Sequence, residues 1–252
     1  MSFRISKSLV SLKQSKAARK ICSVKPMPTK YNLAPQAIKL FKVHDKEYSL
    51  PFGVSSSVGI PRTKTGRTKN MKDPMFTGSL LEELHPPPGK KSTKDQLTVF
   101  LLAEEQLQKY GNCMLSLHTG FGKTCLGIFI AVHKKKKTLI LCKSDKIKTQ
   151  WIDSVSKFTN CTSCIVKGIS IPEDADFCIM GPKKVLNFSG DLSCFGTVIV
   201  DECHQLCTQV FSESLFRLEP EYLIGLSATP DRVDGLGEIL PPFFWFKPHR
   251  AS

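Results

Sequence analysis

Residues 113–124 read Cys-Met-Leu-Ser-Leu-His-Thr-Gly-Phe-Gly-Lys-Thr, and a second apolar run, Cys125 to Val132, follows at once. An apolar run, a glycine-rich turn and another apolar run predict a strand, a loop and a helix. Glycines let successive backbone N–H groups curl around phosphate oxygens, and the helix start adds a partial positive charge. The stretch therefore predicts a phosphate loop, in which Lys123 contacts the outer phosphates and the Thr124 hydroxyl holds Mg²⁺.

The predicted loop departs from the full phosphate-loop pattern at one position. That pattern has a glycine five places before Gly122, where this chain has Leu117. A plain glycine turn between a strand and a helix therefore stays open for this stretch taken alone. The residues predicted to contact the nucleotide here are His118, Thr119, Gly120, Phe121, Gly122, Lys123 and Thr124.

Short apolar runs recur along the second half of the chain, and helical segments lie between several of them. Strands that are apolar throughout and alternate with helices are typical of a parallel sheet covered on both faces. We therefore predict one α/β domain over residues 90–240, followed by a tail at 241–252. The further predicted strands are residues 138–142, 164–166, 177–180, 197–200 and 222–226.

Two more helices are predicted beside the one that follows the loop. One covers residues 94–109 and ends at Gly111, and the other follows Ser144 as its N-cap. Lys134–Lys137 end the helix after the loop, and they predict a solvated cap that matches the helix dipole. The predicted inward faces are Leu97, Phe100, Leu101 and Leu107 on one helix, and Ile147, Trp151, Val155 and Phe158 on the other.

The charge of the chain is concentrated at its start. The net charge is +14 over 252 residues, yet residues 1–40 carry nine Lys/Arg and no acid, which leaves +5 for residues 41–252. A basic excess indicates a polyanionic partner, nucleic acid first. Residues 1–35 are predicted to be a disordered basic arm, with a helix over 3–20 as its only element, that contacts nucleic acid. A mitochondrial transit peptide and an inert tail remain alternatives.

Residues 36–89 are predicted to form a small β module and a linker. Two short strands around a polar turn occupy Ile38–Gly53, a basic connector follows at Arg62–Lys72, and Pro86–Gly89 closes the module. No apolar run approaches the length that crosses a bilayer, so we expect no membrane partner.

The ten cysteines are predicted to be reduced. Most lie in or beside apolar runs, where a thiol packs as a small hydrophobe, and no signal peptide is visible. This composition favours an intracellular, reducing compartment. Cys161 and Cys164 form a lone Cys-x-x-Cys pair, and a zinc site with Cys203, His204 and Cys207 is the less favoured alternative.

An acidic pair follows the apolar strand 197–200. Asp201 and Glu202 begin the sequence Asp-Glu-Cys-His. A phosphate-loop ATPase places its second magnesium ligand at such a strand end. We predict that Asp201 holds Mg²⁺ and that Glu202 orients and deprotonates the attacking water. An ordinary exposed acidic pair is the alternative, and the phosphate loop upstream makes it the weaker one.

A third polar exit follows the strand 222–226 and reads Ser-Ala-Thr-Pro-Asp-Arg-Val-Asp-Gly over 227–235. The ordered series Gly-x-Gly-Lys-Thr, Asp-Glu-Cys-His and Ser-Ala-Thr-Pro resembles the superfamily 2 helicases and translocases of the Asp-Glu-x-His type. Within them it is similar to repair-type DNA helicases, type III restriction motor subunits and the poxvirus-type transcript-release helicases of large DNA viruses. The resemblance covers residues 90–240 and implies a RecA-like domain that uses ATP and Mg²⁺.

The resemblance also implies roles for individual residues. Gln96 is similar to the glutamine that recognises adenine. Lys143 and Lys183 occupy positions that contact the nucleic-acid backbone, although Gly181 replaces the threonine expected near the second. The residues that couple hydrolysis to motion are His204, Ser227, Ala228 and Thr229.

Helicases of this superfamily use two RecA-like lobes, and this chain matches only the first. The resemblance therefore implies the ATP-binding motor domain of a helicase, with DNA favoured over RNA, that hydrolyses ATP when a second lobe or a partner helicase completes it. The alternative is a truncated, catalytically incompetent module with a structural or regulatory role in nucleic-acid binding. The nucleus, a viral factory and the virion are the expected locations, and mitochondrial targeting stays open.

Overall fold

A computed structural model describes residues 2–28, 33–62, 67–81, 95–206, 208–228 and 236–244. In this part of the chain, none of the helices has both the length and the apolar character needed to cross a bilayer.

The N-terminal elements form a folded module. They are β1 (Ser2–Ser6), α1 (Leu12–Ile21), β2 (Ser23–Val24), β3 (Ile38–Lys39), β4 (Lys42–Val43), β5 (Glu47–Pro51) and α2 (Phe52–Val58). Strands β1, β5 and β4 make an antiparallel sheet in that order, while β2 pairs with β3. The predicted strands around a polar turn are confirmed where Val43 faces Tyr48 across β4 and β5, but Ile38 and Lys39 pair with β2 and Phe52 already begins α2.

The prediction of a disordered arm over residues 1–35 is wrong for residues 2–28. Phe3 and Ile5 alternate with exposed Arg4 along β1, and both apolar side chains are buried. The apolar alternation covers only five residues, and the many basic residues around it led to the prediction of a disordered arm. The predicted boundary at residue 35 is not observed either, because β1 pairs with β5 along its whole length.

The second half of the chain forms the predicted parallel sheet. Its six strands lie in the order β6-β11-β10-β7-β9-β8, and every pair in this sheet is parallel. The last strand, β11, lies between β6 and β10, which brings three strand ends together at one edge. The elements are α3 (Gln96–Tyr110), β6 (Asn112–Ser116), α4 (Lys123–Lys134), β7 (Thr138–Leu141), α5 (Asp145–Phe158), β8 (Ser163–Ile165), β9 (Phe177–Met180), α6 (Pro182–Leu186), β10 (Thr197–Val200), α7 (Gln209–Leu215), β11 (Tyr222–Ser227) and α8 (Leu240–Phe243).

The sheet separates two apolar cores. Ile140 and Ile199 lie in the core that also holds α3, α4 and α5. Their strand neighbours Leu139 and Val198 lie in the other core, together with Phe3 of β1 and residues of α7 and α8. The N-terminal module therefore shares a core with the sheet rather than standing apart as an accessory unit.

Two predictions about side-chain faces are wrong. Leu97 and Leu101 are 47% and 58% exposed, because α3 turns Val99 and Ala103 toward the core in their place, while Phe100 and Leu107 are buried as predicted. On α5, by contrast, Ser144 caps the helix as predicted. Trp151 and Val155 of that helix are buried as predicted.

The prediction that Lys134–Lys137 form a solvated cap is wrong for three of the four lysines. Lys134 pairs with Glu104 at 2.6 Å and Lys136 pairs with Glu221 at 2.9 Å. Lys137 is buried and donates to the carbonyl oxygens of residues 172 and 173. Only Lys135 is exposed, as the left-handed residue that ends α4.

Candidate nucleotide-binding site

The glycine-rich turn joins β6 to α4 as predicted. Gly120 and Gly122 have φ values of 89° and 87°, a region that favours glycine because side chains are strained there. Leu117, where the full pattern has glycine, continues the strand instead: its N–H donates to the carbonyl of Ser227 at 3.0 Å. The missing glycine therefore falls on buried backbone that is bonded to the end of β11, rather than inside the turn.

Lys123 begins α4, and its ammonium points back into the turn. Its Nζ lies 3.2 Å from the carbonyl oxygen of Leu117 and 3.5 Å from that of His118. An ammonium held by two loop carbonyls at a helix N-terminus adds positive charge to a place that already favours anions. Thr124 follows as the second residue of the helix.

Gln96 is buried and ties the turn to the preceding chain. Its Nε2 donates to the carbonyl of Phe121 at 2.7 Å, and its Oε1 accepts from the N–H of Leu81 at 2.8 Å. The side chain also lies against Gly122, where an added Cβ would be 2.5 Å from Nε2. Recognition of adenine by Gln96 stays a prediction, and the observed role of its amide is to hold the loop.

The other predicted loop residues differ in burial, and the exposed ones form the rim of the loop. Phe121 is buried, and its ring meets the His118 ring edge-on with 5.6 Å between centroids. His118 Nδ1 donates to the carbonyl of Thr119 at 2.8 Å, whereas its buried Nε2 has no hydrogen-bond partner among the described residues. Thr119 and Gly120 form the exposed rim.

Asp201 lies at the end of β10, and both of its oxygens accept a hydrogen bond. The Trp151 indole donates to Oδ2 at 2.8 Å, and the N–H of Glu202 donates to Oδ1 at 3.0 Å. Burial raises the pKa of the Asp201 carboxyl above its ordinary value, and the Glu202 charge adds to this, while Trp151 and Lys123 oppose it.

Trp151 is the site residue that the sequence did not reveal. It was predicted as part of the apolar face of α5, and it is indeed buried, yet its indole N–H also holds the predicted metal ligand. The only signal in the sequence was the residue type, since a buried tryptophan usually finds a hydrogen-bond partner.

Glu202 has the backbone of a constrained residue. Its φ of 45° is in the left-handed region that non-glycine residues rarely adopt, and such strain concentrates at functional sites. Its Oε2 is buried without a hydrogen bond among the described residues, and the ring nitrogen Nδ1 of His204 lies 3.4 Å from it. The carboxylate thus keeps acceptor capacity for a further donor.

The three motifs meet through hydrogen bonds. His204 Nδ1 lies 2.8 Å from Ser227 Oγ, and the Ser227 carbonyl accepts from Leu117 at the loop entrance. Ala228 follows Ser227 and is half-buried, whereas Thr229 lies outside the described residues. The structure therefore links the end of β10, the end of β11 and the phosphate loop.

The predicted nucleic-acid contacts lie farther along the same edge. Lys143 and Lys183 are both exposed. They follow β7 and β9, which are neighbours in the sheet. Just after β7, the Cys142 N–H donates to the carbonyl of Met180, the last residue of β9. Lys148 also lies here, with its Nζ 3.8 Å from a Cβ built on Gly181, but it is paired with the Asp145 carboxylate at 2.8 Å.

The donor set fits a magnesium nucleotide. Asp201 and Thr124 offer a carboxylate and a hydroxyl, which are the oxygen ligands that Mg²⁺ prefers. Each Asp201 oxygen has one protein donor and so retains acceptor capacity. A Cβ placed on Gly120 would meet nothing within 4 Å, so the rim of the loop is open to phosphates.

A helicase of known structure shares this architecture. The UvsW helicase from bacteriophage T4 aligns over 93% of this chain and 92% of its own, with a TM-score of 0.58 and 15% identity. At that identity the likeness shows the fold alone, and it confirms the predicted RecA-like class.

Two viral relatives are more similar in sequence. The candidate helicase 109L of Invertebrate iridescent virus 3 is 34% identical over 148 residues, covering 55% of this chain and 45% of its own length. The candidate helicase 161L of Invertebrate iridescent virus 6 is 37% identical over 159 residues, covering 60% and 36%. The chain thus spans less than half the length of these relatives.

A family model settles the assignment. The model described as the type III restriction enzyme res subunit matches residues 83–232, which is more than half of the chain. With the three motifs in register at one sheet edge, the chain belongs to this family of superfamily 2 helicase ATP-binding domains.

Proposed function

We propose that this chain is the ATP-binding motor domain of a superfamily 2 helicase, which hydrolyses ATP with Mg²⁺ and acts on nucleic acid once a second RecA-like lobe completes it. The observation that carries the proposal is the hydrogen-bonded series from Leu117 through Ser227 to His204, with Glu202 beside it. This series joins the three motif segments where a nucleotide would lie between them.

Each residue has a chemical role in this proposal. The loop N–H groups and Lys123 bind the phosphates, while Thr124 and Asp201 hold the magnesium ion. Bound magnesium neutralises charge on the phosphate oxygens. The free acceptor of Glu202 orients the attacking water and takes its proton. The hydrogen bond between His204 and Ser227 couples changes at the nucleotide site to β11, the strand that lies between β6 and β10.

Nucleic acid is the proposed substrate of the motor. Lys143 and Lys183 place positive charge at one edge of the sheet, where a phosphate backbone would be attracted. DNA is proposed over RNA from the resemblance of the three motifs alone, since a relative in African swine fever virus carries the name of an ATP-dependent RNA helicase. A second lobe is proposed because the arginine it would supply is worth roughly 10³–10⁵ in rate for this class of reaction.

Nucleotide binding tests the core of the proposal. We expect the full chain to bind a fluorescent ADP or ATP analogue in the presence of Mg²⁺, and Lys123→Ala to weaken that binding at least tenfold. Lys157→Ala is the matched control, because Lys157 is an exposed lysine in the last turn of α5. Equal affinities for the two variants would contradict the proposed site.

Hydrolysis decides between a motor and an incompetent module. We expect ATP hydrolysis to rise when DNA and the second lobe of a related helicase are added, and Glu202→Gln to remove the rise while nucleotide binding persists. A chain that binds nucleotide but shows no such rise with any partner lobe supports the structural or regulatory alternative.

A further inference from the structure

Helix α1 presents a surface of one charge sign. Lys13, Lys16, Arg19 and Lys20 are all exposed, and we call these four residues the α1 basic surface. Their spacing places them on one side of the helix, over roughly 120° and roughly 10 Å of its length. Two further exposed lysines continue the charge beyond the helix, at Lys25 and Lys39.

The opposite side of α1 is fixed to the rest of the module. Gln14 donates to the carbonyls of Val58 and Gly59, and Ser15 hydrogen-bonds to the Tyr48 hydroxyl. Ala18 is buried, and Ser11 forms a capping box with Gln14. The basic side chains are therefore presented by a rigid, capped helix rather than by a flexible tail.

The α1 basic surface lacks internal neutralisation. Among the ion pairs of the described residues, none involves these four side chains. The sequence has no acid before Asp45, and Glu238 lines a groove together with Lys20 and Lys25. Surfaces of ordinary domains intersperse both signs, and uncompensated charge of one sign is suited to attracting a polyanion.

We propose that the α1 basic surface binds the sugar–phosphate backbone of nucleic acid, as a second contact separate from the edge that holds Lys143 and Lys183. The module joins the sheet through Ser2, whose N–H donates to the carbonyl of Leu218, shortly before β11 begins. Helix α1 packs mainly on α2 and β2, whereas Lys143 and Lys183 follow β7 and β9 of the parallel sheet.

The chemistry of α1 favours nucleic acid over an anionic membrane. A helix that lies in a membrane interface needs a broad apolar face turned outward. Here Ala18, Cys22 and Val24 are turned inward and buried, while the exposed apolar residues Leu12 and Ile21 lie at opposite ends of the helix and form no continuous apolar face. Positive charge without an apolar face binds phosphates by releasing counterions. The choice of nucleic acid as the polyanion rests on the proposed function.

Salt-dependent binding tests the surface. The full chain and Lys13→Gln/Lys16→Gln/Lys20→Gln would be titrated against a labelled DNA duplex and an RNA duplex at several salt concentrations. We expect the variant to bind both about 10- to 100-fold more weakly at low salt and its slope of log affinity against log salt to be shallower by about 3. The RNA arm distinguishes backbone charge from a DNA-specific contact.

A matched control separates the location of the charge from its amount. Lys72→Gln/Lys109→Gln/Lys157→Gln removes the same number of positive charges from exposed positions elsewhere. Two of these positions are on α3 and α5, across the sheet. We expect this variant to keep the slope within about 1 of the parent chain. Equal losses in the two variants, or no loss in the α1 variant, would overturn the proposal.

Two further arms complete the test. Vesicles of anionic phospholipid are expected not to bind, and binding to them that depends on the three α1 lysines while DNA binding does not would reassign the surface to membranes. Nucleotide binding would be measured on the same preparations. If the chain bound no nucleotide but retained the α1-dependent slope, the proposed motor function would fail while the second contact stood.

Discussion

The nucleotide edge of the sheet and the N-terminal module are built in different ways, although both belong to one folded unit. At the edge, short motifs are fixed by hydrogen bonds to backbone and to each other, as when Gln96 holds the loop and Trp151 holds Asp201. In the module, scattered apolar residues such as Phe3 and Ile5 complete a core that the sheet supplies. The nucleotide-binding motifs at the edge can therefore be predicted from local sequence. The proposed function of the module depends instead on which of its charges have no ion-pair partner.

Two lysine-rich segments show this dependence. Lys134 and Lys136 are paired with Glu104 and Glu221, so their charges serve the structure. Lys13 and Lys16 have exposed side chains on a helix whose neighbouring sequence has no acids. The two runs look alike in composition, and only the positions of distant acids separate a structural cation from one that is available to a partner.

The largest expected effect tests whether the module and the motor share one core. Phe3→Ala removes a side chain that is 2% exposed, and we expect it to lower the free energy of unfolding by about 3–5 kcal/mol. Because Phe3 packs in the same core as strands of the parallel sheet, the loss should appear as a shift of one transition in chemical denaturation.

Leu12→Ala is the matched control for this change, since Leu12 is 83% exposed. It should shift the free energy of unfolding by no more than about 0.5 kcal/mol. A separate early transition for Phe3→Ala, with the motor unfolding at its usual denaturant concentration, would show that the module is an independent unit.

How far the sequence predicts this molecule depends on the range of the interaction concerned. Runs of neighbouring residues predict the strand that begins at Thr197, the acids that follow this strand, and the turn at Gly120. The bond from Trp151 to Asp201 joins residues 50 positions apart, and periodicity cannot show it. Leu97 was placed on the wrong face because an apolar side chain alone does not indicate which side of a helix meets the sheet.

The next largest effect concerns the hydrogen bond from Trp151 to Asp201. Trp151→Phe keeps an aromatic ring but removes the N–H donor, and a hydrogen bond to a charged group is worth about 1.5–3 kcal/mol. We expect nucleotide affinity measured with Mg²⁺ to fall about tenfold or more, because Asp201 loses the donor that fixes its orientation. Affinity measured with EDTA should change much less.

The control for Trp151→Phe lies one helical turn farther along α5. Val155→Ala removes buried packing without touching Asp201, so it should lower stability and leave the effect of Mg²⁺ on affinity intact. If both variants lost stability but kept the effect of Mg²⁺ on nucleotide affinity, Trp151 would be only a core residue.

A third prediction contrasts two glycines of the same loop. Gly120→Ala and Gly122→Ala both place a side chain at positive φ, which costs about 1–2 kcal/mol in each case. Only at Gly122 would the new Cβ meet Gln96 Nε2, at 2.5 Å. We expect Gly122→Ala to be the more destabilising variant in urea denaturation, and equal losses would mean that Gln96 is not a rigid support of the loop.

The smallest predicted effect concerns the cap of α1, and it sharpens the contrast between a rigid surface and a tail. Ser11 accepts from the N–H of Gln14, and the Gln14 side chain accepts from the N–H of Ser11 in return. Ser11→Ala should cost about 1 kcal/mol of stability. Fraying of the first turn would also release Lys13 from its ordered position, so nucleic-acid affinity should fall about two- to fivefold because more ordering must accompany binding. Ser11→Thr restores a capping hydroxyl and should recover both values. Identical behaviour of the alanine and threonine variants would imply that the cap does not set the order of the basic surface, and that its charges act as those of a flexible tail do.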